Sequence, residues 1–92
     1  MKGRELVAWN VKRIRVEKGI SQERLAFDAG VDRSYLGGLE RAVANPTVDV
    51  LQRIADTLEV PLANMFIEPE AGDEEPLSLR AGRRPKKKKL VT

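Results

Sequence analysis

The stretch Ser21–Glu40 constrains this chain more than any other. It holds two helix-start signals, Ser21 and Asp32, with Gly30 set between them. Serine and aspartate at such positions accept hydrogen bonds from the N–H groups that open a helix and have no partner within it. Glycine takes the positive φ that a tight turn requires. Two helices must therefore fit around one turn, and each is too short to persist without something to pack on. Ala26 is small enough to let them cross closely. Val31, Leu36 and Leu39 turn one face of the second helix towards Leu25, while the face near Arg33 and Ser34 stays polar and exposed.

The flanking sequence supplies the support. From Arg4 to Lys18, Val7, Val11 and Ile14 form one helical stripe, and Gly19 ends that helix. Ser21 caps a second helix from Gln22 to about Ala29, with Glu23 in the first turn where the helix dipole favours negative charge. Asp32 caps a third, running to about Arg41. Ala44-Asn45-Pro46-Thr47 is a loop, with Thr47 as the next cap and Asp49 in the turn that follows. Val48, Leu51, Ile54, Ala55 and Leu58 then make an inward stripe, and Pro61 suits the first turn of a last short helix through Phe66. No alternating run argues for a strand. The expectation is an all-α fold of five helices over residues 1–67.

Length and composition narrow the chemistry. The 92 residues allow one small domain, and they include no cysteine and no histidine. A disulfide, a thiolate nucleophile, an imidazole base and a Cys/His zinc cage are all absent from the options. The carboxylates are scattered over caps and helix surfaces, so no enzyme activity, metal or cofactor is expected. The longest strictly apolar runs are three or four residues, far short of the ~20 that span a bilayer. No apolar segment follows Met1-Lys2-Gly3-Arg4-Glu5, so no signal peptide and a cytoplasmic location are expected. Beyond Ile67 the composition shifts to five acidic residues between Glu68 and Glu75, then seven basic ones between Arg80 and Lys89. Such a segment buries too little apolar surface to offset the entropy of ordering, so residues 68–92 are expected to be a disordered charged tail.

A short helix whose leading end projects from a supporting helix is the arrangement that enters a DNA major groove. At this point the residues resemble a known family. Ser21-Gln22-Glu23-Arg24-Leu25-Ala26, Ala29-Gly30-Val31, Tyr35-Leu36 and Leu39-Glu40-Arg41, continued by Asn45-Pro46-Thr47, Leu51, Ile54-Ala55 and Leu58, are similar to the lambda-repressor-like (xenobiotic-response-element) helix-turn-helix family. The resemblance covers residues 4–66. It implies a five-helix domain that binds double-stranded DNA as a homodimer and acts as a bacterial or phage transcription regulator. The expected function is a sequence-specific repressor at the nucleoid, reading the major groove with helix 32–41 and needing no small-molecule ligand. The alternative is an antitoxin-type interaction module whose main role is to bind a partner protein.

The resemblance also assigns residues. It implies that Gln22 meets backbone phosphate, that Arg33 and Ser34 face base edges, and that Tyr35 lies near phosphate or the groove wall. Arg41 and Asn45 fall in the region that meets phosphates, and Arg15 matches a structural arginine of the first helix. Chemistry supports two of these roles. A planar guanidinium can bond O6 and N7 of one guanine, and a long amide at a helix start can reach phosphate. Plainer readings stand beside them: Tyr35 as core edge, Arg41 as a dipole partner, Asn45 as a turn former, Glu40 as a partner within the domain. Trp9 is open between packing and a partner surface.

The sequence departs from the family pattern at two places. Gly37 and Gly38 stand where a small polar and then a long polar residue are usual, and each helical glycine costs about 0.5–1 kcal/mol. Gly38 leaves any base it faces to be approached by backbone, which throws specificity onto Arg33 and Ser34. Ala42 replaces a glycine often found after the recognition helix. The expected dimer surface is Leu62–Ile67, where Met65, Phe66 and Ile67 exceed what a small core needs.

Overall fold

The computed structural model describes residues 1–70. The tail expected from residue 68 onward therefore lies, past Glu70, outside the described residues, and so does the basic run Arg80–Lys89. Four α-helices are formed: α1 (Gly3–Glu17), α2 (Gln22–Ala29), α3 (Arg33–Glu40) and α4 (Val48–Leu58). A 3-10 helix, Leu62–Phe66, follows. No strand occurs among the described residues. The fifth element thus differs from the expected α-helix. Its backbone N–H at Asn64 reaches only three residues back, to the Pro61 carbonyl at 2.9 Å. Five residues suffice for a tighter turn and little more, and Pro61 stands just ahead of that turn instead of inside it.

The caps form where the side chains dictate. Ser21 Oγ accepts from Arg24 N at 3.0 Å, the Asp32 carboxylate from Tyr35 N at 3.2 Å, and Thr47 Oγ1 from Val50 N at 3.0 Å. Gly30 ends α2 at φ 74. The helices close over a core of Val7, Val11, Ile14, Leu25, Ala26, Leu36, Leu39, Leu51, Ile54, Ala55 and Leu58. Val48 does not join it. As the first residue of α4 it stands one turn ahead of Leu51, where burial begins, and it is 65% exposed.

Met65 departs from expectation in the opposite sense, being wholly buried in the core. Asn10 explains why. Buried on α1, its Nδ2 donates to the carbonyls of Leu6 (2.9 Å), Met65 (3.1 Å) and Ile67 (2.9 Å). Its Oδ1 accepts from Arg13 Nη2 at 3.0 Å. The amide fastens the 3-10 helix to α1 and seats Met65 between elements, so only Phe66 and Ile67, each 45% exposed, remain at the surface.

After α3 the chain turns through Ala42 at φ 66. The N–H groups of Val43 and Ala44 both donate to the Gly38 carbonyl, at 2.9 and 3.3 Å. The left-handed conformation usually supplied by glycine is thus kept with alanine, at a cost of about 1 kcal/mol. Ala42→Gly should raise stability by about 0.5–1 kcal/mol. A higher urea midpoint at unchanged slope would register the gain, and a lower one would mean the strain is absent. Among the described residues no helix is long and apolar enough to cross a membrane.

Candidate nucleic-acid interface

The third helix is held from behind by a buried ion pair. Arg15 of α1 grips Glu40 at the end of α3 in two bonds, Nε to Oε2 at 2.7 Å and Nη2 to Oε1 at 3.0 Å. Its third nitrogen, Nη1, donates to the Ile20 carbonyl at 2.8 Å. The two side chains are 4% and 3% exposed. Parallel guanidinium–carboxylate bonds of this kind are short, strong and directional, so one guanidinium ties α1, the turn before α2 and the end of α3 together.

Gln22 belongs to the same cluster. Its Nε2 donates to Glu40 Oε1 at 2.9 Å. The position expected on phosphate is therefore also an internal brace, and only the second hydrogen of that amide nitrogen is left for a phosphate oxygen. The Arg15 and Glu40 assignments made from sequence agree with this arrangement. The Gln22–Glu40 bond escaped them, because both residues look like surface polars until α2 and α3 are crossed.

The leading end of α3 is open. Arg33 and Ser34 follow the Asp32 cap directly and are exposed. Behind them Leu36 and Leu39 are fully buried, which fixes the direction the helix presents. Nearby on α2, Arg24 is paired with Asp28 at 2.7 Å, and that hydrogen bond and the Asp28 charge hold its guanidinium above the ordinary arginine range. Among the described residues neither Arg33 nor Arg41 is held by a carboxylate. The unneutralised cations of α3 thus stand at its two ends.

Tyr35 is half-buried, with its ring packed against the core. Asn45 is exposed in the loop before α4. Gly38 is placed differently from the sequence reading. It is buried, its carbonyl accepts from the N–H groups of Arg41, Val43 and Ala44, and Val43 Cγ2 lies 3.5 Å from where its Cβ would be. The turn after α3 folds over it, so its carbonyl is engaged within the protein. Val43 itself, 64% exposed, is a loop residue that no sequence motif singles out. On α1, Trp9 is half-buried beneath Arg13, whose guanidinium carbon sits 5.3 Å from the ring centroid. No group of His, Cys, Asp or Glu among the described residues could hold a metal ion.

Two short helices crossing at Gly30, the second braced at its rear and cationic at its front, make a helix-turn-helix. A family model described as Helix-turn-helix matches residues 11–64, and the chain belongs to that family. The lambda-repressor-like class of transcription regulators implied by the motif residues is the class found. The chain is similar to the uncharacterized HTH-type transcriptional regulator y4dJ of Sinorhizobium fredii, with 44% identity over 57 residues covering 62% of this chain and 74% of that protein. It is also similar to the HTH-type transcriptional regulator SlrR of Bacillus subtilis, with 42% identity over 57 residues. That match takes in 61% of this chain but only 38% of SlrR. Among solved structures, the restriction-modification controller protein C.Esp1396I, as a tetramer in complex with its natural 35 base-pair operator, shares the fold at a TM-score of 0.66. Its identity is 38%, over 72% of this chain and 87% of that one.

Proposed function

We propose that this transcription regulator is a homodimeric repressor that binds double-stranded DNA sequence-specifically at the nucleoid, reading the major groove with α3. The observation that carries the proposal is the contrast between the two ends of that helix. Its rear is locked by Arg15, Gln22 and Glu40, while Arg33 and Ser34 project from its front with no internal partner for the Arg33 charge. An unneutralised guanidinium carried on a rigidly held helix suits two-bond recognition of guanine. Ser34 and the Tyr35 edge flank it, and Gln22 and Asn45 contact phosphates that set the register. The site binds and does not catalyse, and it calls for no cofactor or small-molecule ligand.

One such helix reaches few bases, and a two-fold dimer doubles them over half-sites about 34 Å apart. Phe66 and Ile67 supply the pairing surface, and Met65, being core, takes no part. The joint substitution Phe66→Ser and Ile67→Ser should convert dimer to monomer in sedimentation equilibrium and weaken operator binding. A dimer that survives both changes places the interface elsewhere.

Selection from randomised duplex DNA followed by sequencing tests the main reading. The expected result is a two-fold symmetric motif. Failure to enrich any sequence, with a stoichiometric protein partner co-purifying, would instead favour the interaction-module alternative.

A further inference from the structure

The recognition helix contains two adjacent glycines, and the structure shows what lies over them. Arg41 caps the end of α3, is exposed, and has φ −94 and ψ 4, close to helical backbone. A long side chain leaving a helix at such a point leans towards the N-terminus and covers the turn before its own Cα. Here that turn is Gly37–Gly38. Arg41 Nη1 lies 3.3 Å from where a Gly37 Cβ would stand, and Nη2 lies 4.0 Å from the corresponding point on Gly38. The first distance is tighter than most Cβ contacts, so a side chain at position 37 would displace the guanidinium by a few tenths of an ångström from the place glycine leaves it.

The consequence concerns which group meets the DNA. Residues 33, 37 and 41 recur at four-residue intervals and share one stripe of the helix. Arg33 marks its leading end, the middle has no side chain, and the Arg41 guanidinium lies back over the gap, unpaired by any carboxylate among the described residues.

We propose that Arg41, seated over Gly37 and Gly38, is a second base-reading residue, supplying from the helix end the guanidinium fork that the middle of the helix lacks. The proposal rests on the DNA-binding reading above and assigns Arg41 to guanine recognition instead of a phosphate contact. Arg33 and Arg41 then read two separate positions in each half-site, and Gly37 leaves the second fork room to lie along the helix.

Selection from randomised duplexes with the full chain, run in parallel on the unaltered protein, Arg41→Ala and Arg41→Lys, separates the possibilities. The expected result is a motif with a guanine in each half-site that both variants stop preferring, by about 10-fold or more, while positions read by Arg33 persist. Lysine keeps the charge but not the planar fork, so its failure to preserve the guanine marks base reading. Circular dichroism confirms that both variants are folded. If either variant keeps the full base preference and merely binds all sequences more weakly, with a shallower salt dependence, Arg41 is a phosphate contact and the inference is overturned. If the unaltered protein enriches no motif, the DNA-specific reading falls first and this one with it.

Discussion

Arg15→Ala is expected to destabilise the domain by about 3–5 kcal/mol, because it strands the Glu40 carboxylate inside the protein. Small domains have only about 5–15 kcal/mol to lose, so the variant should melt far below the parent and bind DNA poorly at ordinary temperature. The size of the effect follows from geometry: the guanidinium supplies two bonds to the carboxylate and one to the Ile20 carbonyl, and alanine replaces none of them. Removing both charges tests the explanation. Arg15→Met with Glu40→Leu fills similar volume without a buried ion and should recover part of the loss, the remainder reflecting the Ile20 carbonyl and Gln22 amide left without these partners. Urea unfolding followed by circular dichroism measures both. A loss under about 1 kcal/mol for the single variant would place the pair among ordinary surface bridges.

Arg33→Ala should leave stability within about 0.5 kcal/mol of the parent, since the side chain is exposed. Its effect falls on DNA instead. Losing a two-bond contact to guanine costs about 1–3 kcal/mol in each half-site, and the two half-sites of a dimer are distant enough for the losses to add. Anisotropy titrations at fixed salt against a selected operator should therefore show a drop well beyond 10-fold, with preference relaxed at one position of each half-site. Asn45→Ala provides the contrast, because loss of a phosphate contact weakens all sequences alike. An Arg33→Ala protein that still prefers the same operator bases would remove Arg33 from base recognition.

The features legible in the sequence are those governed by local chemistry. Ser21, Asp32 and Thr47 each cap the helix their side chains reach, and Gly30 takes the conformation that alanine would resist. These depend on a few neighbouring residues and no tertiary context. Val48 and Met65 were misplaced because periodicity reports which face a residue occupies, not whether anything covers it. The burial of Gly38 is hidden for a related reason: the turn that covers it runs through Ala42, and only the path of that turn decides what packs on Gly38. Gln22 lay between these cases. Its position at the start of α2 was evident, but its bond to Glu40 exists only once α2 and α3 have crossed.

The Asn10 amide sets a limit on how this sequence can drift. Its two N–H hydrogens are shared among three carbonyls while its oxygen receives Arg13, so position 10 must donate and accept at once in a space closed to solvent. Aspartate would face a ring of oxygens, and leucine would leave the Met65 and Ile67 carbonyls and the Arg13 donor without this partner. In a lineage descended from this chain, exchange at position 10 should be found only beside exchange at position 13 or a rerouted backbone at 65–67, a correlation between distant columns that a single molecule already foretells.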